Sequence, residues 1–204
     1  EYTATEFICD IKPSGGDYTS VASWHSAVQC NLISAGTRVY TGTVSGAIAD
    51  GATVVLYRSG VSQGVTGTVT HATASQVLIK NITNTGFSIL AGDVWRVDVS
   101  NYFTLSAVGD SAIAVARIGG TWTNASLSGF LIDGFLDTSS TNYVRIYTTP
   151  EARHNGKWNQ TAYRIDVTNH DTYVVGIRNH YVEVDGVQVR QVTDMTFGQV
   201  ASVS

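Results

Sequence analysis

Short β-branched runs closed by glycine constrain this chain more than any other feature. Gly51-Ala52-Thr53-Val54-Val55-Leu56-Tyr57 is such a run. Val and Thr lose little on a pleated, half-buried surface, and Gly supplies the turn. Further runs at Arg38–Val44, Thr53–Arg58, Gly67–His71, Gln76–Ile82 and Asp93–Val99 recur at about the 8–12-residue spacing of a small barrel or sandwich. Thr5–Lys12 alternates, with Phe7, Cys9 and Ile11 on one face and Glu6, Asp10 and Lys12 on the other, which predicts a half-buried strand. Ala112–Ile118 predicts one more, before a Gly-Gly break. One convincing helix interrupts the pattern. Val21, Trp24, Val28 and Leu32 form a single apolar stripe, with Asp17 or Thr19 placed to cap it.

Composition excludes the competitors. Charged residues are 14% of the 204, against about a quarter in an average domain, which removes helical bundles and coiled coils. Apolar residues at 43% and a net charge of −4 remove disorder. No cluster of Lys and Arg exists to neutralise phosphates, so nucleic acid is not an expected partner. No apolar run reaches the roughly 18 residues that a spanning helix needs. An all-β chain remains, long enough for one ordinary domain or two small ones.

The last third carries an internal pattern. Asn142–Thr148, Ala162–Thr168 and His180–Asp185 resemble one another, with Tyr143, Tyr163 and Tyr181 spaced 20 and then 18 residues apart. Val184-Asp185-Gly186-Val187 also echoes Ile132-Asp133-Gly134-Phe135. A strand repeating near every 20 residues predicts stacked coils, with Asp-Gly as the corner between faces. The expected division is therefore 1–36 as N-terminal strand and capping helix, 37–110 as a small β-barrel or sandwich module, and 111–204 as short β-solenoid coils with an open C-terminal end.

These residues resemble a known family. Gly15-Gly16-Asp17-Tyr18-Thr19-Ser20-Val21-Ala22-Ser23-Trp24 is similar to the start of right-handed parallel β-helix proteins of the pectate-lyase-like superfamily. Arg153–Asn159, Tyr163–Ile165 and Tyr181–Val187 are similar to the first coils of such proteins in bacteriophage sequences, and Gly42–Leu105 resembles a small β module of phage virion proteins. The resemblance implies a short right-handed parallel β-helix with an N-terminal capping helix and an inserted small β module. It also implies a chemistry, acidic residues holding Ca²⁺ beside a basic residue that abstracts a proton. Asp166, Asp171, Glu183 and Asp185 with Arg164, Arg178 and Arg190 are the residues on which that would fall. The opposing reading is a ladder of outward charges across neighbouring coils, which carry Arg145, then Arg164 and Asp166, then Glu183 and Asp185, with partly alternating signs.

Other candidate sites are sparse. The histidines His25, His71, His154, His170 and His180 include no pair at metal-binding spacing, and no Gly-x-Ser-x-Gly elbow occurs. Cys9 and Cys30 stand 21 positions apart. They are either a disulfide tying the first strand to the end of the helix or two buried thiols. Trp122 and Trp158 are candidate platforms for glycans, with His154 and Asn155 beside Trp158 in a polar loop. Sequons stand at Asn81, Asn124 and Asn159.

Residues 186–204 stay β-prone, and Val187, Val189, Val192, Phe197, Val200 and Val203 are candidates for self-association. Position 1 is not Met, and the only methionine is Met195, so the chain is expected to be processed or part of something longer. The expected function is a structural, self-associating protein of a virion or an extracellular surface, a fibre, spike, decoration or filament subunit, more in keeping with a non-enzyme. Its partners would be itself, other virion proteins or surface glycans, with no cofactor. The alternative is a carbohydrate-active module, either a lyase or hydrolase fragment or a glycan-binding adhesin, and only this alternative brings in Ca²⁺.

Overall fold

The computed structural model describes residues 4–168 and 174–191, and the backbone alone of 202–203. The protein is all-β. Among the described residues a single helix, α1 (Val21–Val28), stands beside fifteen strands. These are β1 (Thr5–Ile11), β2 (Arg38–Ser45), β3 (Thr53–Arg58), β4 (Val61–Ala72), β5 (Gln76–Lys80), β6 (Val94–Arg96), β7 (Tyr102–Leu105), β8 (Ala112–Ile118), β9 (Phe130–Ile132), β10 (Val144–Thr148), β11 (Arg164–Val167), β12 (Val175–Ile177), β13 (Val182–Asp185), β14 (Gln188–Gln191) and β15 (Ser202–Val203). The chain forms two compact units. One is Glu1–Phe7, Ala27–Ala114 and Phe135–Tyr143; the other is Ile8–Ser26, Val115–Gly134 and Val144–Ser204.

The first unit is built on a closed barrel, in the order β2-β5-β4-β3-β6-β7. Strand β2 closes it by changing partner halfway. Arg38–Thr41 pair antiparallel with β5, and Gly42–Ser45 pair antiparallel with β7. Gly42 sits at the change. A Cβ there would overlap the Thr104 carbonyl oxygen and press on the Phe103 ring, so only glycine lets the two strands approach. Irregular registers in β3 against β4 and in β4 against β5 supply the bends that closure needs. Alternation sends Val54 and Leu56 inward from β3, to meet Tyr40, Val65, Val69, Val77, Ile79, Trp95 and Phe103. Burying one such side chain contributes about 1.5–3 kcal/mol. Tyr40 and Trp95 meet edge to face, with ring centroids 5.9 Å apart. Asp93 is also inside, 1% exposed, and Arg58 grips both its oxygens at 2.8 Å while the Leu90 amide donates to Oδ2 at 2.9 Å. The guanidinium holds the Asp93 carboxyl below the usual carboxylate range, against the opposing pull of burial.

The second unit holds three groups of strands. One sheet is ordered β1-β8-β10-β13; β11 pairs with β14; and β12 lies between β9 and β15. The pairs β10–β13, β11–β14, β12–β15 and β9–β12 are parallel and in register. Val144 faces Val182 and Ile146 faces Val184, Ile165 faces Val189, and Val175 faces Phe130. Apolar residues therefore stack on apolar ones along the inner face. At the N-terminal side of α1, Ser20 is the cap: its Oγ accepts from the Ser23 amide at 3.1 Å. The expected caps are corrected by this. Asp17 instead accepts from the Asp10 amide at 2.7 Å.

The fold expected from the family resemblance is also corrected. The architecture is a closed six-stranded antiparallel barrel with parallel sheets, not a right-handed parallel β-helix of the pectate-lyase-like kind. The barrel is formed by the Gly-turned strands between Arg38 and Leu105, which pair with one another until no edge is left. The repeat also reads differently in space. The Tyr143 and Tyr181 segments pair with each other, whereas the Tyr163 segment pairs with Gln188–Gln191. Similar sequence there spans two sheets and unequal burial, with Tyr163 buried and Tyr181 exposed, rather than one stacked repeat. Gly186 does turn between β13 and β14 with φ +78°, in keeping with a corner at Asp-Gly.

Candidate functional site

The site begins with a buried arginine. Arg164, on β11, is 9% exposed and spends its guanidinium on backbone carbonyls. It donates to Trp122 O at 3.1 Å, to Thr123 O at 3.1 Å and to Gln160 O. The segment 122–126 is further tied down by Trp122 N to Thr161 O at 3.1 Å and Ser126 N to Arg164 O at 2.9 Å. Trp122 Nε1 donates to Gly119 O at 2.9 Å, which fixes the indole. Trp122 then meets Tyr163 edge to face, centroids 4.9 Å apart at 78°. Together with Pro13, Ser20, Asn124 and Ser126 they line a cleft of about 270 Å³. Burial pushes the Tyr163 phenol up, and no charge or hydrogen bond opposes it.

A larger cleft, about 460 Å³, lies in the first unit between Ile33, Tyr40, Phe87, Ile89 and Val108. Its one cation, Arg38, is occupied by the carbonyls of Ser34 and Thr37. Its other polar lining is Asn84, Thr85 and Ser111, beside apolar walls.

The sequence-predicted residues fall in different places. Trp122 lines the smaller cleft; Trp158, His154 and Asn155 do not. Trp158 is 39% exposed, and one ring face is covered by Arg190, whose guanidinium carbon lies 4.9 Å from the ring centroid. His154 Nδ1 is used locally, accepting from the Gly156 amide at 3.0 Å. Val187 and Val189 are half-buried. Val192, Phe197 and Val200 lie outside the described residues, as does the side chain of Val203, and so do Asp171 and His170. Cys9 and Cys30 are buried thiols rather than a disulfide. Burial pushes the Cys30 thiol up to about 12, with Lys80 pulling weakly the other way.

The carboxylates pair with arginines across strands. Arg145 meets Glu183, its register partner, at 3.4 Å; Arg190 meets Asp166, its register partner, with Nε to Oδ1 at 2.9 Å; and Arg153 meets Asp185. Arg190 holds the Asp166 carboxyl below its usual range. Of the expected ladder, Arg145 and Glu183 pair with each other, whereas Arg164 is buried on carbonyls and Asp166 and Asp185 are met by Arg190 and Arg153 instead. Tyr163 and Asn124 in the cleft were missed as site residues, and so was the carbonyl-clamping role of Arg164. The signal for Tyr163 and Arg164 was the alternation in Ala162–Thr168, which reads equally as plain strand, and Asn124 stood out only as a sequon.

No helix among the described residues is long and apolar enough to cross a membrane. No family model, no curated protein and no solved structure matches the chain, and the expected pectate-lyase-like membership finds no support there either.

Proposed function

We propose that the chain is a structural, self-associating subunit of a virion or extracellular surface assembly, and that copies meet along the outer edges of β13 and β14. One observation carries the reading. Val144, Ile146 and Ile165 are fully buried, yet their in-register partners Val182, Val184 and Val189 are only half-buried. Parallel strands in register point like side chains the same way, so one further strand would complete the burial. Among the described residues, β13 and β14 end their sheets, so their outer N–H and C=O groups offer a template for pairing. Val182–Gln191 contains neither Lys nor Pro, the residues that commonly guard such an edge. A strand from a second copy would supply main-chain hydrogen bonds and apolar cover together.

Sedimentation velocity from about 1 to 100 µM, the range of ordinary subunit affinities, tests this. The expected result is mass that grows with concentration, and a shift to monomer in the double variant V184K/V189K with its circular dichroism unchanged. A clean monomer across the range, or a double variant that associates like the parent, overturns the reading.

A further inference from the structure

We propose that the cleft between Trp122, Tyr163 and Asn124 is a binding site for a neutral sugar, a pyranose ring carrying hydroxyls or an N-acetyl group but no charge. The inference is independent of self-association, because none of Val182, Val184, Val187 and Val189 lines the cleft.

The lining chemistry selects the ligand class. Trp122, Tyr163 and Pro13 provide apolar surface for the C–H face of a ring, and Thr19, Ser20, Thr123, Asn124 and Ser126 provide hydroxyls and an amide for its edge. That mixture, mainly apolar walls with a few convergent polar groups, is what fixes the orientation of a small polar molecule. No Asp, Glu, Lys, Arg or His lines the cleft. A carboxylate, phosphate or ammonium would lose its hydration there without a counter-charge, so charged ligands are disfavoured.

A second observation points to a ligand. Tyr163 lines the cleft with only 2% of its surface exposed, and its phenol can both donate to and accept from a hydroxyl-bearing ligand. Asn124 stands exposed at the rim with its amide able both to donate and to accept. Ser126 Oγ donates to Ser128 O at 2.8 Å and so keeps its lone pairs for a ligand donor. The walls are set in advance. Arg164 clamps the carbonyls of 122 and 123 and Gly119 O holds the indole, so little ordering is left for the ligand to impose.

Saturation-transfer NMR and calorimetry with glucose, galactose, mannose and N-acetylglucosamine, against glucuronic acid and glucosamine as charged controls, test the site. At least one neutral sugar is expected to bind with a millimolar dissociation constant, as suits a small polar ligand. Its charged counterpart should bind at least about fivefold more weakly, through the lost hydration. Tyr163→Phe keeps the ring and removes only the hydroxyl, and should weaken binding about five- to tenfold. Asn124→Ala is a rim change that leaves the fold intact and should weaken it about threefold or more. The idea fails if no neutral sugar gives saturation transfer at about 10 mM, a concentration that reveals millimolar binding. It fails equally if the charged controls bind as well, or if Y163F and N124A both bind like the parent.

Discussion

The barrel and the parallel strands draw on the same alphabet of Val, Thr and Ile and solve opposite problems. In the barrel every strand has two neighbours, and Val54, Leu56, Val65 and Val69 are fully buried. In the second unit the inner strands are equally buried, but β13 and β14 carry half-buried valines on strands that end their sheets. Closure, rather than composition, is what completes a β core. The same contrast appears in the charges. The barrel takes a carboxylate inside, Asp93 with Arg58, while the second unit sets Asp166 with Arg190 and Glu183 with Arg145 along its outward ladder.

Core deletions separate the two regions most sharply. Leu56→Ala should cost about 2–5 kcal/mol, because a closed barrel collapses poorly around a cavity. Val184→Ala should cost less than about 1 kcal/mol in the monomer, since water already reaches that side chain. Urea titration of the two variants checks the pair; equal losses would mean that the β13 edge is as well covered as the barrel. Gly42→Ala comes next. Its added methyl meets the backbone of Thr104, which cannot turn aside, and the expected loss is about 1–3 kcal/mol with the barrel retained. At Gly186 the clash is with the side chains of Thr148 and Arg153, which can move, so Gly186→Ala should be limited to the cost of holding alanine at φ +78°, about 1–2 kcal/mol. A larger loss at Gly186 than at Gly42 would reverse the comparison.

Acid should reveal the buried carboxylate Asp93, whose partner Arg58 reaches the surface. The Asp93 carboxyl is held low in the folded state, so its contribution is present above the unfolded value near 4 and is lost as pH falls through the lowered folded value. Denaturation of the parent and of Asp93→Asn at pH 7 and at pH 2.5 to 3 should therefore give a gap that narrows on acidification. A gap independent of pH would show that Asp93 acts through shape rather than charge.

Much of this was legible in the chain because period-2 patterning and Gly turns are local signals. Thr5–Lys12, Arg38–Val44, Thr53–Arg58 and Ala112–Ile118 read as strands and are strands within a residue or so. The buried stripe Val21, Trp24, Val28 and Leu32 was equally plain, although the helix stops at Val28. Strand β7 was missed because Tyr102–Leu105 is short and takes its place only by pairing with β2 and β6. A barrel or sandwich was the expectation for 37–110; what the sequence left open is which of the two forms, because closure depends on β2 changing partner at Gly42, a long-range event that leaves only a glycine in the sequence. The cleft was half legible. Trp122 stood out as an aromatic in a polar loop, but Tyr163 lay hidden in the alternating run Ala162–Thr168, and only the fold brings the two rings to 4.9 Å. Trp158 misled because the arginine that covers it lies 32 positions on.

The smallest expected effect concerns that arginine. Arg190 is half exposed and faces Asp166 across the β11–β14 pair, where water screens the charges and two side chains must be held still. Outward pairs of this kind contribute little to stability. Arg190→Ala should therefore leave the thermal midpoint within error of the parent, in contrast to Asp93→Asn at neutral pH. It should nonetheless have a local signature, because the same guanidinium covers a face of Trp158. Uncovering that ring should raise the fraction of tryptophan emission that acrylamide quenches, while Trp24 and Trp95, fully buried, stay protected. A large drop in midpoint together with broad quenching would mean that the ladder, and not only the stacked valines, holds β14 against β11.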